Sequence, residues 1–208
     1  MVLGLTGGMA SGKSTVAEMF RAFGAAVVSA DALAREIVRP GSPTLLAIAS
    51  HFGDWALDES GNLDRKAMAA LIFRDPRARV ALNRITHPVI AELAARKFGE
   101  LKKAGARLIV YDAPLLFEAN ADKQVDKVLV VTVDQEQQVR RLQARDGIDR
   151  RKAMERLAAQ MSQKEKVARA DYVIDNSGSV EDARRQVREL LIRLGLSDLV
   201  PNSSRCAE

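Results

Sequence analysis

Gly7-Gly8-Met9-Ala10-Ser11-Gly12-Lys13-Ser14 carries glycine, lysine and a hydroxyl at the spacing G-x-x-x-x-G-K-[ST]. That combination suits the binding of a nucleoside triphosphate, most often ATP. The glycines let backbone N–H groups turn toward one centre and approach phosphate oxygens closely. Lys13 can reach the β- and γ-phosphates, and the Ser14 hydroxyl can ligate Mg²⁺. A helix opening at Lys13 adds the positive end of its dipole to the anion site.

Other residues could complete a phosphoryl-transfer site. Asp31 follows an apolar run and could take a proton from an acceptor hydroxyl, or cap the next helix. Asp112 ends a second apolar run, where a carboxylate can support Mg²⁺ or simply initiate a turn. Arg141 and Arg145 stand four apart on one helical face. They could contact phosphates, stack on adenine, or form a salt-bridged face with Asp146 as partner. His87 precedes a proline and reads as a cap or packed side chain rather than a catalyst. Trp55 either lines an acceptor pocket or packs, and Cys206 is assigned no role.

The elements that must position these groups alternate. Val2–Thr6, Ala26–Ser29, Arg107–Asp112, Lys127–Val133 and Tyr172–Ile174 read as short buried strands. Helical patterns run from Lys13 to Phe23, from Asp31 to Val38, and from Asp134 to Arg145. A last helix begins after a Ser179 cap, with Asp182 at its third position. Thr44 to Lys103 looks helical throughout, with a turn at Asp58–Asn62. Asp75-Pro76 and His87-Pro88 each suggest an N-cap followed by proline at the first helical position. Five apolar strands separated by helices imply an α/β fold with a parallel sheet covered on both faces. Two helical insertions, at about residues 32–103 and 140–167, interrupt the alternation. They are candidates for an acceptor-binding domain and a lid. The tail from Pro201 is polar.

Composition narrows the class. The 208 residues are 47% hydrophobic and 28% charged, ordinary values for a globular chain. No apolar run approaches the ~18 residues of a membrane span, and no secretion signal opens the chain. A single cysteine excludes an internal disulfide and fits a cytoplasmic setting. Net charge is +5, from 32 basic and 27 acidic residues. Between Arg140 and Arg156, seven basic residues face three acidic ones. Such a cluster attracts anions or forms a solvated face. D-x-x-G occurs at Asp58 and Asp175, but N-K-x-D is absent, which argues against a GTPase switch. A small-molecule kinase fits best. Its rivals are another kinase on the same fold, a nucleotide-regulated nucleic-acid binder and an ATP-binding regulatory component. Aromatic residues at 4% leave few base-stacking platforms.

Seven short segments, in order from Val2 to about Leu196, resemble the dephospho-coenzyme A kinases. They are Gly4 to Thr15, Asp31-Ala32-Leu33-Ala34-Arg35, His87-Pro88, Asp112 to Glu118, Arg141-Leu142 with Arg145-Asp146, Ala159-Gln160-Met161, and Ala170 to Asn176. Met9, Ser162 and the C-terminal tail depart mildly from the family's pattern. The resemblance implies a P-loop fold of the nucleoside-monophosphate-kinase type, a five-stranded parallel sheet with a helical acceptor domain and a helical lid. On it the core is 1–31, 104–139 and 168–197, the acceptor domain 32–103, the lid 140–167, and 198–208 a flexible tail. It implies transfer of the γ-phosphoryl of ATP to the 3′-hydroxyl of dephospho-coenzyme A, with Mg²⁺. Carried over by position, Lys13, Asp31 and Arg141 are catalytic. Gly8, Ala10, Ser11, Gly12, Lys13, Ser14, Thr15 and Arg145 hold ATP. Asp31, Arg35 and His87 bind the acceptor, and Ser14 with Asp112 holds the metal. ATP and dephospho-coenzyme A are the expected partners, with no nucleic acid and no membrane.

Overall fold

The structure, a computed structural model, describes residues 1–200. Val2–Gly7 forms β1, buried at every position. The chain then runs through α1 (Lys13–Ala22), β2 (Ala26–Ser29), α2 (Ala30–Glu36), α3 (Pro43–Phe52), α4 (Arg65–Arg74) and α5 (Pro76–Lys103). It continues through β3 (Ile109–Asp112), β4 (Lys127–Thr132), α6 (Gln135–Asp146), α7 (Arg150–Ala158), α8 (Gln163–Ala168), β5 (Tyr172–Asp175) and α9 (Val180–Arg193).

The five strands form one sheet in the order β2-β3-β1-β4-β5. β1 pairs in parallel with β3 (Leu5 opposite Asp112) and with β4 (Gly7 opposite Val131). β4 pairs in parallel with β5. After β1 the chain moves to one side of the sheet and then crosses to the other. β1 therefore stands at a topological switch point, where ligands bind beyond the carboxyl ends of the strands.

Periodicity explains how the core forms. Val16 and Phe20 of α1 face Val187 and Leu191 of α9 over Leu3, Leu5, Leu129 and Val131 of the sheet, all buried. Burying a side chain such as Phe20 contributes roughly 2–3 kcal/mol. The expected capping box opens α9: Ser179 Oγ accepts from the Asp182 N–H, and Asp182 accepts from the Ser179 N–H.

The chain divides into two units, Met1–Val28 with the chain from Glu100 onward, and Ser29–Gly99. The second unit contains α2, α3 and α4, an antiparallel bridge between Leu57 and Leu63, and most of α5. Leu33, Leu45, Ile48, Ala56 and Met68 are buried in it. The segment expected to be a lid belongs to the first unit. There Val139, Leu142 and Ala153 form a small buried cluster joined by Met9, Ala10, Ile148 and Leu157.

Three sequence expectations need correction. α2 is capped by Ser29, whose Oγ accepts the Ala32 N–H at 3.3 Å, so Asp31 is not the cap. Pro88 lies inside the continuous helix α5 and opens no new one. The apolar spacing of Leu82, Ile85, Val89 and Leu93 carries the helix through the proline, which removes only one N–H donor. The last correction concerns the tail expected from 198. It begins with a 3₁₀ turn, Ser197–Leu199, held by an Arg107–Asp198 ion pair of 2.5 Å. Its remainder, including Cys206, lies outside the described residues.

Candidate active site

β1 ends at Gly7 and α1 begins at Lys13, so the glycine-rich run is the strand-to-helix turn that a phosphate loop requires. Two side-chain amides pin the carbonyls of this turn from outside. Asn176, just beyond β5, donates through Nδ2 to the Ser11 carbonyl at 2.8 Å. Gln138 of α6 donates through Nε2 to the Met9 carbonyl at 2.7 Å. With the carbonyls turned outward, N–H groups can face inward. α1 has no side-chain cap, so the Lys13 and Ser14 N–H groups at its start are available to an anion, whereas the Thr15 N–H donates to the Gly12 carbonyl at 3.0 Å.

Glycine leaves room for both amides, and at Gly12 the backbone conformation demands it as well. Gly12 has φ +82, and a Cβ there would sit 2.0 Å from Asn176 Nδ2. A Cβ on Gly8 would sit 2.6 Å from Gln138 Nε2. The Ser11 hydroxyl is buried against Gly7 at the end of β1 and, among the described residues, has no hydrogen-bond partner.

Lys13 forms an ion pair with Asp112 at the carboxyl end of β3, with side chains only 13% and 17% exposed. Arg141 of α6 donates through Nη2 to the Asn176 carbonyl at 3.1 Å and to Gln137 Oε1 at 3.3 Å. It stands beside the loop, with Nη1 3.6 Å from the position of a Gly12 Cβ. Ser14 and Thr15 lie exposed in the first turn of α1. Lys13, Ser14, Asp112 and Arg141 thus share one unit with the loop.

Arg145 does not join them. Its Nε and Nη2 bind Asp146 at 2.7 and 3.2 Å. That hydrogen bond raises the Arg145 pKa and holds the Asp146 carboxyl below the usual carboxylate range. Four of the seven basic residues of the cluster are ion-paired, although the stretch keeps a net positive charge. Arg156 also pairs with Asp146, Arg150 with Glu136 at 2.6 Å, and Arg151 with Glu155 at 2.6 Å. A solvated, salt-bridged face describes these four arginines.

The second unit holds the remaining predicted residues. Asp31 lies exposed in the first turn of α2, and Arg35 stands one turn later on the same face. Among the described residues no side chain bonds to the Asp31 carboxylate. His87 is half-buried in α5, and burial lowers its pKa.

Sequence reasoning missed several groups that shape the site. Gln138 and Asn176 hold the loop. Gln163 of α8 bonds both the N–H and the C=O of Val133, at 2.8 and 2.9 Å, and so extends the ladder beyond β4. A cavity of about 400 Å³ opens beside Gly8 and Met9 between Gln138 and Met154, Leu157 and Met161. Lys166 of α8 is fully buried. It donates to the Pro114 carbonyl at 3.0 Å and to both oxygens of Glu118 at 2.9 and 3.1 Å. Thr6 donates to the same Pro114 carbonyl, tying the segment after Asp112 to β1.

A parallel sheet with a phosphate loop at its switch point, a carboxylate on the neighbouring strand and an arginine over the loop defines the class, a P-loop kinase fold. The fold matches that of shikimate kinase from Bacteroides thetaiotaomicron (TM-score 0.54, 14% identity, 94% of this chain and 99% of that one). It also matches dephospho-CoA kinase from Campylobacter jejuni, with TM-score 0.71 and 28% identity over 95% of this chain and 98% of that one. A dephospho-CoA kinase from Syntrophotalea carbinolica is 59% identical over all of this chain and 99% of its own length. The family model described as CoaE: Dephospho-CoA kinase matches residues 1–182. The chain belongs to the dephospho-CoA kinase family.

Proposed function

We propose that this chain transfers the γ-phosphoryl group of ATP to the 3′-hydroxyl of dephospho-coenzyme A, giving coenzyme A and ADP. The observation that carries the reading is the pinned phosphate loop with Lys13, Asp112 and Arg141 around it, in a chain of this family. Loop amides from Gly8 to Thr15 bind the phosphates. Lys13 exchanges its ion pair with Asp112 for the β- and γ-phosphates, and Arg141 adds charge over the transferring group. Arg145 contributes to nucleotide binding only when released from Asp146.

The donor set around Lys13 suits Mg²⁺. Ser14 offers a hydroxyl and Asp112 a carboxylate, both hard oxygen ligands. Among the described residues no group of three or more His, Cys, Asp or Glu gathers into a metal cage. A cation that also takes oxygens from substrate phosphates and water needs none. When bound, the ion neutralises phosphate charge.

In the transfer, the 3′-oxygen forms a bond to the γ-phosphorus as the bond to the β-bridging oxygen breaks. Asp31 takes the hydroxyl proton, and ADP leaves with the electron pair. Arg35 and His87 help seat the acceptor. Among the described residues no helix is long and apolar enough to cross a membrane, and a cytoplasmic setting suits the substrates. Asp31→Asn tests the base. The variant is expected to keep ATP binding and lose most turnover, whereas near-normal turnover would refute the assignment.

A further inference from the structure

The Ser29–Gly99 unit contains a hollow of about 480 Å³ that includes Arg35, Arg39 and Arg65 in its wall and Val38 and Leu63 beside them. The three arginines come from two segments. Arg35 is in the last turn of α2 and Arg39 follows that helix, whereas Arg65 is the first residue of α4. All three side chains are exposed, and among the described residues none forms an ion pair or hydrogen bond through its guanidinium.

Two carboxylates also border the hollow, yet the arginines do not pair with them. Asp58 Oδ1 accepts the Ser60 and Asn62 N–H groups at 2.9 Å each and the Asn62 Nδ2 at 3.3 Å. Asp64 Oδ1 accepts the Ala67 N–H at 2.8 Å as the cap of α4. Both carboxylates hold the local backbone, while the guanidinium donors remain uncommitted. Three cations against two anions leave the hollow positive. Elsewhere in the unit Lys97 has its acidic partner, Glu36, at 3.7 Å.

We infer that this hollow binds the diphosphate of the acceptor, with Arg39 and Arg65 as affinity-determining residues beside Arg35. The inference rests on the proposed function. It follows from charge: the diphosphate is the anionic part of dephospho-coenzyme A. Spacing agrees. Asp31 and Arg35 are one turn apart on α2, about 6 Å along its axis. The diphosphate hangs from the 5′ position of the ribose whose 3′-hydroxyl would meet Asp31. Guanidinium forks match phosphate oxygens in geometry as well as charge.

Arg39→Ala and Arg65→Ala, singly and together, test this, with Arg→Lys at each position as a conservative control. Calorimetric titration with dephospho-coenzyme A, together with steady-state kinetics in both substrates, gives the readouts. The Kd and KM for dephospho-coenzyme A are expected to rise roughly tenfold per substitution, the KM for ATP to stay within twofold, and the thermal midpoint to hold. The lysine variants should retain part of the affinity, and the salt dependence of acceptor binding should weaken in the double variant. Acceptor affinity within twofold of wild type in both alanine variants, with the wild-type chain active, would overturn the hollow alone. A wild-type chain that neither binds nor phosphorylates dephospho-coenzyme A would instead overturn the functional reading on which it rests.

Discussion

Replacing Gly12 by alanine adds one methyl group at the most crowded point of the phosphate loop. Two costs follow from the structure. The backbone has φ +82, a left-handed conformation that costs an L-residue about 1–2 kcal/mol. The new Cβ would also fall 2.0 Å from Asn176 Nδ2, and that amide must move. Moving it breaks the 2.8 Å bond to the Ser11 carbonyl and leaves a buried acceptor unsatisfied, a further ~1–3 kcal/mol. Gly147→Ala is the control. Its φ is +63, but nothing lies within 4 Å of its Cβ position, so it bears only the backbone cost. Gly12→Ala should therefore be less stable than Gly147→Ala by ~1–3 kcal/mol, or about 2–12 °C in thermal midpoint for a chain of this size. Thermal and urea unfolding followed by circular dichroism measure the difference, and ATP titration should show weakened binding only in Gly12→Ala. Adding Asn176→Ala removes the collision, so the double variant should lose less than the two single losses summed. Equal stability of Gly12→Ala and Gly147→Ala, within ~0.5 kcal/mol, would refute the reasoning.

Lys166→Met removes the buried partner of Glu118 and of the Pro114 carbonyl, but Glu118 is exposed to solvent and Thr6 still donates to Pro114, so the change is expected to cost only about 1 kcal/mol in urea unfolding. Adding Glu118→Leu should recover much of that loss, and a double variant no better than the single one would deny that the pair is coupled. Arg141→Ala should lower kcat roughly 100-fold, the effect of removing a charge-stabilising donor. Arg145→Ala should lower it far less, because Arg145 is committed to Asp146; equal losses would contradict this division. Burial depresses the His87 pKa, so the unfolded chain binds more protons than the folded one as pH falls below about 6.5. That contribution is harmless above pH 6.5, and stability erodes as pH drops from there through the folded pKa. His87→Gln should flatten this part of the stability profile, and an unchanged slope between pH 7 and pH 5 would remove His87 as its source.

What the sequence revealed was local. The phosphate loop announces itself because glycine, lysine and serine must occur at that spacing, and the flanking strand and helix have their own periodicities. The Ser179 capping box was legible for the same reason, since cap and partner lie three residues apart. Pro88 misled, because proline after a polar residue marks a helix start as readily as a tolerated interior site. Only packing along α5 decides between them. Ser29 and Asp31 compete for one cap within two residues, and backbone dihedrals choose Ser29. Gln138, Gln163 and Lys166 were silent, and the role of Asn176 was hidden, because each acts on a partner at least thirty residues away. A buried glutamine or lysine looks in sequence like a surface one. Arg145 was ambiguous until its geometry with Asp146 was known, and the hollow around Arg39 and Arg65 needs two segments brought together.

The central claim is tested most directly by incubating the protein with ATP, Mg²⁺ and dephospho-coenzyme A and following coenzyme A by mass spectrometry. The account predicts a product heavier by one phosphoryl group, carried on the 3′-oxygen, with one ADP per coenzyme A. Its formation should depend on Mg²⁺ and be abolished by Lys13→Ala. Folded, ATP-binding protein that forms no coenzyme A, or a Lys13→Ala variant of normal activity, would contradict it.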